Sequence, residues 1–194
     1  MPGHAHAAIK VMEAKFVNFS SNGKLREAEM YLLNDENDTS NYLSAQNFKD
    51  NSINPCLEST YNFIEKVVRN VQHLHSGVQA LTVFHFGGDE VPVGAWTASP
   101  ACKDLARRLG LDFSGKDIVK QLMGYFVRRV SSITHQHGLD LAAWEDGLMG
   151  INEEPYERDQ LSNSVVYANT WDNIWEFGVG NRPYKLANAG YKVS

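Results

Sequence analysis

The sequence has 194 residues, of which 43% are hydrophobic, and 18 Lys and Arg against 23 Asp and Glu give a formal net charge of −5. This length and composition are typical of one globular domain with a sizeable core. An isoelectric point near 5.8 and the lack of a basic run argue against nucleic acid or an anionic membrane as a partner. No apolar stretch approaches the ~18 residues of a membrane span, and the first residues lack the features of a signal peptide.

Helical patterns and β-prone apolar runs alternate from residue 54 onward. Asn54 and Pro55 suit the start of the first helix, and Ser114 and Asp117 form a weak capping box before the second. The predicted elements are a helix over 54–77, a strand over 81–86, a helix over 114–138, strands over 139–144 and 165–171, a helix over 183–189 and an extended segment over 191–193. This alternation predicts an α/β fold with a parallel sheet, either open and doubly wound or closed as a (β/α)8 barrel.

Residues 17–53 fit neither the helical nor the strand period and contain two runs of turn-forming residues. We interpret them as a long surface excursion. Excursions of this length in a compact domain are usually functional or disordered.

One motif places two carboxylates at the end of the first predicted strand. It reads His85-Phe86-Gly87-Gly88-Asp89-Glu90, and the carboxyl ends of parallel strands carry the active site in both α/β architectures. Neighbouring side chains on extended chain point in opposite directions, so Asp89 and Glu90 should have different roles. The alternative is a Gly-Gly turn followed by a solvated acidic helix start.

Histidines occur in three His-x-His pairs. Such a pair on a strand presents both imidazoles on one face, as a metal-dependent hydrolase requires. Two of the pairs fall in the last turn of a predicted helix, where a cationic side chain meets unpaired carbonyl groups. His4 differs because it lies in a loop near a helix start. The three pairs are His4/His6, His73/His75 and His135/His137.

An aromatic residue and an acid recur at the ends of the two later strands. The stretches are Trp144-Glu145-Asp146-Gly147 and Asn169-Thr170-Trp171-Asp172. Single tryptophans usually belong to the core. Two of them at equivalent strand ends beside Asp89 and Glu90 favour a pocket in which aromatic faces line a sugar site.

Two further features bear on the cellular compartment. Cys56 and Cys102 are compatible either with two buried thiols or with a disulfide. The sequons at Asn18 and Asn37 lean toward a secretory route and a glycoprotein.

The motifs together resemble the catalytic barrel of glycoside hydrolase family 20, the β-N-acetylhexosaminidases, and chitobiase-like members in particular. They run in family order across nearly the whole chain, and the block that ends in Asp89 and Glu90 is highly specific. The matching stretches begin at Met1 (MPGHAHA), Asp38 (DTSN), Asn54 (NPCL), His85 (HFGGDE), Ala143 (AWEDG) and Asn169 (NTWD).

The resemblance implies a role for each candidate site residue. Glu90 would be the general acid/base, and Asp89 would position the substrate's 2-acetamido group, which acts as the nucleophile in a retaining reaction. Trp144 and Trp171 match aromatic walls of the acetamido pocket. His4 and His85 match histidines that support the two acids. Cys56 and Cys102 resemble a disulfide pair of chitobiase-like members.

The resemblance also implies that residues 1–194 are one part of a single catalytic domain. It places them in a partial (β/α)8 barrel, from the loop after strand three to strand seven. The family's substrate-binding arginine and its downstream Trp-x-Glu block have no counterpart here. We therefore expect an internal Met1, a domain truncated at both ends and an isolated fragment without activity.

The implied function is hydrolysis of terminal β-linked N-acetylglucosamine or N-acetylgalactosamine from chitooligosaccharides or glycans. It needs no cofactor, and it allows a homodimer of the full-length enzyme. The resemblance and the cysteine pair favour a secreted, periplasmic or lysosomal location. Two alternatives are a non-catalytic carbohydrate-binding barrel and a metal-dependent hydrolase that uses the His-x-His pairs.

Overall fold

The structure is a computed structural model that describes residues 3–172 and 178–194. Met1 and Pro2 of the first family-like stretch lie outside the described residues. No helix in the described ranges combines the length and apolar character needed to cross a bilayer. The helices are α1 (His6–Ser21), α2 (Leu25–Glu29), α3 (Glu58–His75), α4 (Pro100–Leu109), α5 (Ile118–Gln136) and α6 (Arg182–Asn188), and the strands are β1 (Val83–His85), β2 (Asp140–Trp144), β3 (Val166–Asn169) and β4 (Lys192–Val193).

The chain divides into two compact units, which are described separately. Unit 1 comprises Met1–Ile64 and Glu90–Leu122, and unit 2 comprises Glu65–Asp89 and Met123–Ser194.

Unit 2 contains a four-stranded sheet in the order β1-β2-β3-β4, and every pairing is parallel. This confirms the predicted α/β fold with a parallel sheet. Leu141 of β2 pairs with Phe84 on one side and Val166 on the other, and all three are buried. Burial of successive β2 residues explains its continuous apolar run, which is typical of a parallel sheet.

A buried amide ties the end of α5 to the segment before β3. The Asn163 side chain is 2% exposed and donates to the Thr134 hydroxyl (2.9 Å) and the Leu139 carbonyl (2.7 Å). It also accepts a hydrogen bond from the Ser131 hydroxyl (2.7 Å). Because both ends of the amide are paired, it can be buried without the penalty of an unsatisfied polar group.

Two of the predicted helix starts are wrong. α3 begins at Glu58, since Asn54 Oδ1 accepts the Cys56 N–H (2.8 Å) and forms a local turn instead. α5 begins at Ile118, and the Ser114 hydroxyl donates to Asp112 rather than closing a capping box. Short polar side chains satisfy nearby backbone groups in turns as readily as at helix ends, so their spacing alone did not decide the boundary.

In unit 1, the prediction of a surface excursion over residues 17–53 is wrong. The segment contains the end of α1, all of α2 and the core residues Leu33 and Ile53, which are at most 1% exposed. The Asn54 N–H donates to the Leu33 carbonyl (2.8 Å). The helical pattern of α1 is weak in the sequence. Its buried residue is Ile9, so the helix shows little apolar periodicity.

α4 was not predicted, although its sequence signals are strong. Ser99 caps the helix by accepting the Cys102 N–H, Pro100 takes a first position, and Gly110 ends it in the left-handed conformation with φ +69°. The Asp35 carboxylate accepts hydrogen bonds from the Ser99 hydroxyl (2.8 Å) and the Ala101 N–H (2.9 Å). The cap is thereby joined to the segment that follows α2.

A disulfide joins Cys56 to Cys102 in unit 1, across 46 positions of sequence. This confirms the pairing that the family resemblance implied. It links the turn before α3 to the first part of α4.

The loops that follow β1 and β2 in unit 2 meet at two glycines. A Cβ on Gly147 would lie 2.8 Å from the Gly88 Cα, and a Cβ on Gly88 would lie 2.7 Å from the Phe86 ring. Gly88 also has φ +100°, a conformation that other residues rarely adopt. The Trp144 N–H donates to the Gly87 carbonyl (3.0 Å), so the two loops are joined where the strands end.

We expect removal of the disulfide to destabilise unit 1. Replacing Cys56 and Cys102 by Ala in the protein that carries this chain should lower the free energy of unfolding by up to about 4 kcal/mol, because the closed loop is long. Urea unfolding with and without a reductant measures this. The reductant should lower the stability of the parent and leave that of the double variant unchanged. Equal stability of the parent and the double variant without reductant would contradict the prediction.

The substitution Gly147→Ala should be destabilising by about 1–3 kcal/mol, since its Cβ would collide with backbone that cannot rotate away. Gly77→Ala is the matched control in unit 2, because a Cβ there meets open space. Thermal unfolding of the two variants compares them. If both variants have the same melting temperature, the close approach of Gly88 and Gly147 does not constrain the loops, and the prediction is wrong.

Candidate active site

Glu90 lies in unit 1 and is held by two side chains from earlier in the sequence. His4 Nε2 is 3.2 Å from Glu90 Oε2, and the Gln46 amide donates to the same oxygen. The two side chains of the ion pair are each about one-third exposed, 35% for His4 and 31% for Glu90. The carboxyl group is therefore both oriented and open to a ligand. Gln46 was not predicted as a site residue, since nothing in its sequence surroundings distinguishes it.

The loop that carries His4 is fixed by a buried asparagine. The Asn51 side-chain amide donates to the Gly3 carbonyl (2.5 Å), and the Asn51 backbone carbonyl accepts the Ala5 N–H (2.8 Å). Asn51 is 1% exposed, and its amide also lies 3.4 Å from the Gln46 side-chain oxygen. The backbone on both sides of His4 is thus held by one residue of the segment that the sequence analysis treated as a surface excursion.

The backbone at Glu90 is strained. Its φ is +52°, in the left-handed region that costs a residue with a side chain of order 1–3 kcal/mol. The structure assigns no helix to the residues directly after it, and α4 begins only at Pro100. The alternative interpretation of Asp89 and Glu90 as an acidic helix start is therefore wrong.

His85 and Trp144 lie together at the ends of β1 and β2 in unit 2. Their rings meet edge to face with centroids 5.0 Å apart, and His85 Nδ1 accepts the Gly87 N–H (3.1 Å). Partial burial lowers the pKa of His85, while a hydrogen bond with Asn169 and the charge of Asp89 oppose the shift. The neutral form, with the proton on Nε2, fits these contacts.

The two predicted tryptophans are exposed at the carboxyl ends of their strands. Trp144 is 36% and Trp171 is 46% exposed, so the alternative that they belong to the core is wrong. Register places Trp144 opposite Asn169, two residues before Trp171. Both tryptophans therefore lie at the carboxyl ends of neighbouring strands, Trp144 as the last residue of β2 and Trp171 two residues after β3.

Glu145, the acid that follows Trp144, was not predicted as a site residue. It is fully buried (0% exposed) and accepts the N–H groups of Trp171 (2.7 Å) and Asp172 (2.9 Å). Burial raises the pKa of Glu145, and these backbone hydrogen bonds partly offset the shift. An acid directly after a strand-end tryptophan was visible in the sequence, but its burial was not.

Two His-x-His pairs occur at helix ends, as predicted, and do not favour a metal site. His73 and His75 lie in the last turn of α3, and His135 lies in the last turn of α5. Side chains two positions apart on a helix do not face each other. His137, just past α5, is instead 3.4 Å from the Glu65 carboxylate.

The remaining pair is divided between different partners in unit 1. His4 contacts Glu90, whereas His6 Nδ1 is 2.9 Å from Asp50 and its ring stacks on Phe48. The pair therefore does not present both imidazoles to one ion.

Comparison with known proteins places this geometry in a family. The model of the glycosyl hydrolase family 20 catalytic domain matches residues 1–193. A β-hexosaminidase of Vibrio vulnificus is 41% identical over 194 residues, which cover 100% of this chain and 22% of that protein. The N,N'-diacetylchitobiase of Vibrio harveyi is 32% identical over 219 residues, covering 100% of this chain and 24% of that protein.

Solved structures agree with this assignment. The family 20 exo-β-N-acetylglucosaminidase of Vibrio harveyi, crystallised with N-acetylglucosamine, superposes with a TM-score of 0.68 at 30% identity and covers 100% of this chain and 24% of that one. The chain thus spans about a quarter of the length of the relatives that it matches. On the match over residues 1–193, the chain belongs to glycosyl hydrolase family 20.

Proposed function

We propose that the protein carrying this chain is an exo-acting β-N-acetylhexosaminidase that removes terminal β-linked N-acetylglucosamine or N-acetylgalactosamine. The observation that carries the proposal is the Glu90 carboxyl group, held by His4 and Gln46 on strained backbone. The names of the relatives, which include β-hexosaminidases and a chitobiase, support the same reaction.

Glu90 serves as the acid and then as the base. Its proton passes to the glycosidic oxygen as the C1–O bond breaks, and the carbonyl oxygen of the substrate's own 2-acetamido group bonds to C1. This yields an oxazolinium ion and the free alcohol. The ionised Glu90 then takes a proton from water, whose oxygen attacks C1 and opens the oxazolinium ring. Because C1 undergoes two displacements, its configuration is retained.

Asp89 has a different task from Glu90 in this proposal. Its carboxylate accepts the acetamido N–H and stabilises the positive charge that develops on the oxazolinium ring. Trp144 and Trp171 offer exposed aromatic faces, which suit the apolar acetamido methyl group and the C–H face of a sugar. His85 supports Trp144 through their edge-to-face contact.

Residues 1–194 are, in this proposal, one part of a single catalytic domain with a (β/α)8 barrel. The parallel order β1-β2-β3-β4 and the coverage of about a quarter of each relative support it. Further strands would then pair with the two edges of the sheet. Chitooligosaccharides or glycans as substrates, a homodimer, and a secreted, periplasmic or lysosomal location belong to the same proposal, and the disulfide supports an oxidising compartment.

Replacing Glu90 with Gln in the full-length protein should lower kcat on 4-nitrophenyl N-acetyl-β-glucosaminide by about 10²- to 10⁴-fold, since Gln cannot transfer the proton. The loss should be smaller with a 2,4-dinitrophenyl leaving group, which departs without a proton. Initial-rate kinetics measure both substrates.

Glu27→Gln is the matched control, because Glu27 lies on the surface of α2 and pairs only loosely with Lys24 (3.6 Å). It should leave the rate unchanged. Near-normal turnover by the Glu90→Gln variant would refute the assignment of Glu90. Tight binding of an N-acetylglucosamine thiazoline by a parent protein that hydrolyses nothing would instead support the carbohydrate-binding alternative.

Participation of the acetamido group has its own test. Turnover should fall progressively as fluorine replaces hydrogen on the acetyl methyl group, since fluorine makes the carbonyl oxygen a weaker nucleophile. Asp89→Asn should lower kcat on the unfluorinated substrate severely, because the amide cannot stabilise the developing positive charge. Rates that do not respond to fluorination would exclude the proposed nucleophile.

A further inference from the structure

The residues that immediately follow β2 hold a residue that follows β3, and both sets lie in unit 2. After Trp144 the chain enters a short 3-10 helix, Glu145–Leu148. β2 and β3 are paired up to Trp144 and Asn169, so Trp171 emerges beside this turn. Both acids of this turn accept hydrogen bonds from the chain after β3.

Glu145 holds the backbone of Trp171. One carboxylate oxygen accepts the Trp171 N–H (2.7 Å), and the other accepts the Asp172 N–H (2.9 Å). The side chain is fully buried, where a carboxylate is unfavourable unless its oxygens are hydrogen-bonded. The Glu145 carboxylate is thus a bidentate acceptor shielded from water, and it resists rotation of the backbone at Trp171.

Asp146 holds the side chain of the same tryptophan. Its Oδ1 accepts the Trp171 indole Nε1–H at 3.1 Å. Because Trp171 is 46% exposed, packing surrounds only about half of the side chain, and the indole hydrogen bond restricts its rotation further. Three hydrogen bonds from two adjacent residues thus fix both the backbone and the ring of Trp171.

We propose that Glu145 and Asp146 are positioning residues that hold the Trp171 indole in a binding-ready orientation for an N-acetylhexosamine. This inference rests on the proposed function, because it takes Trp171 to contact the sugar. A tryptophan already held in one orientation loses less rotational freedom when the ligand binds, so the acids increase affinity without touching the substrate.

The decisive variant is Asp146→Ala in the full-length protein, because half-buried Asp146 tolerates truncation better than fully buried Glu145. The Trp171 indole N–H should exchange with solvent faster and shift in the ¹⁵N–¹H spectrum. KM for the aryl N-acetylglucosaminide should rise about fivefold, the size expected from one lost hydrogen bond, while kcat changes little. Asp146→Asn, whose amide oxygen can still accept the indole N–H, should restore both readouts.

A double-mutant cycle separates positioning from general structural support. In a Trp171→Ala background, Asp146→Ala should have no further effect on KM, since the group that it holds is gone. The same loss in both backgrounds would overturn the proposal. Unchanged exchange of the Trp171 indole N–H in Asp146→Ala would also overturn it.

Glu145→Gln extends the test to the backbone. Gln offers one acceptor oxygen instead of two, so amide hydrogen exchange should accelerate at Trp171 or Asp172 and not across the rest of β3. Exchange that is unchanged at both amides would refute the role of Glu145. These exchange readouts do not require activity, so failure of the proposed glycosidase function is distinguishable from failure of the positioning role.

Discussion

The close approach of Gly88 and Gly147 is the constraint on which the arrangement at the carboxyl end of the sheet depends. The backbones after β1 and β2 come so near that neither position has room for a Cβ. The Trp144 N–H, bonded to the Gly87 carbonyl, continues the sheet pairing into this loop contact. Trp144 therefore enters the loop on a backbone that is already fixed.

Asn51 has a comparable role in unit 1, although its chemistry is different. Steric fit joins the two loops of unit 2, whereas the side-chain amide and the backbone carbonyl of buried Asn51 hold the chain before and after His4. In both units a residue without a proposed chemical role fixes a residue that has one. Such support agrees with the general requirement that reactive groups be held within fractions of an ångström of their working geometry.

How far the sequence predicts this structure depends on whether the relevant signal is local. The parallel strands were predictable because apolar runs such as that of β2 are a property of consecutive residues. The end of α1, α2 and the buried Leu33 were missed because their burial depends on partners distant in sequence. Candidate site residues that belong to a dense motif, such as Glu90, were predicted from that motif. Gln46 belongs to no motif, and nothing in the sequence around Glu145 indicates that it is buried.

At Glu90, the positive φ opposes the needs of folding to those of the proposed chemistry. Glycine adopts this backbone conformation without steric penalty. Replacing Glu90 with Gly would therefore relieve the strain, but it would also remove the carboxyl group. Directed evolution of this chain for thermal tolerance alone would therefore favour loss of the acid at residue 90. Variants selected for both thermal stability and turnover would have to carry their stabilising substitutions elsewhere in the molecule.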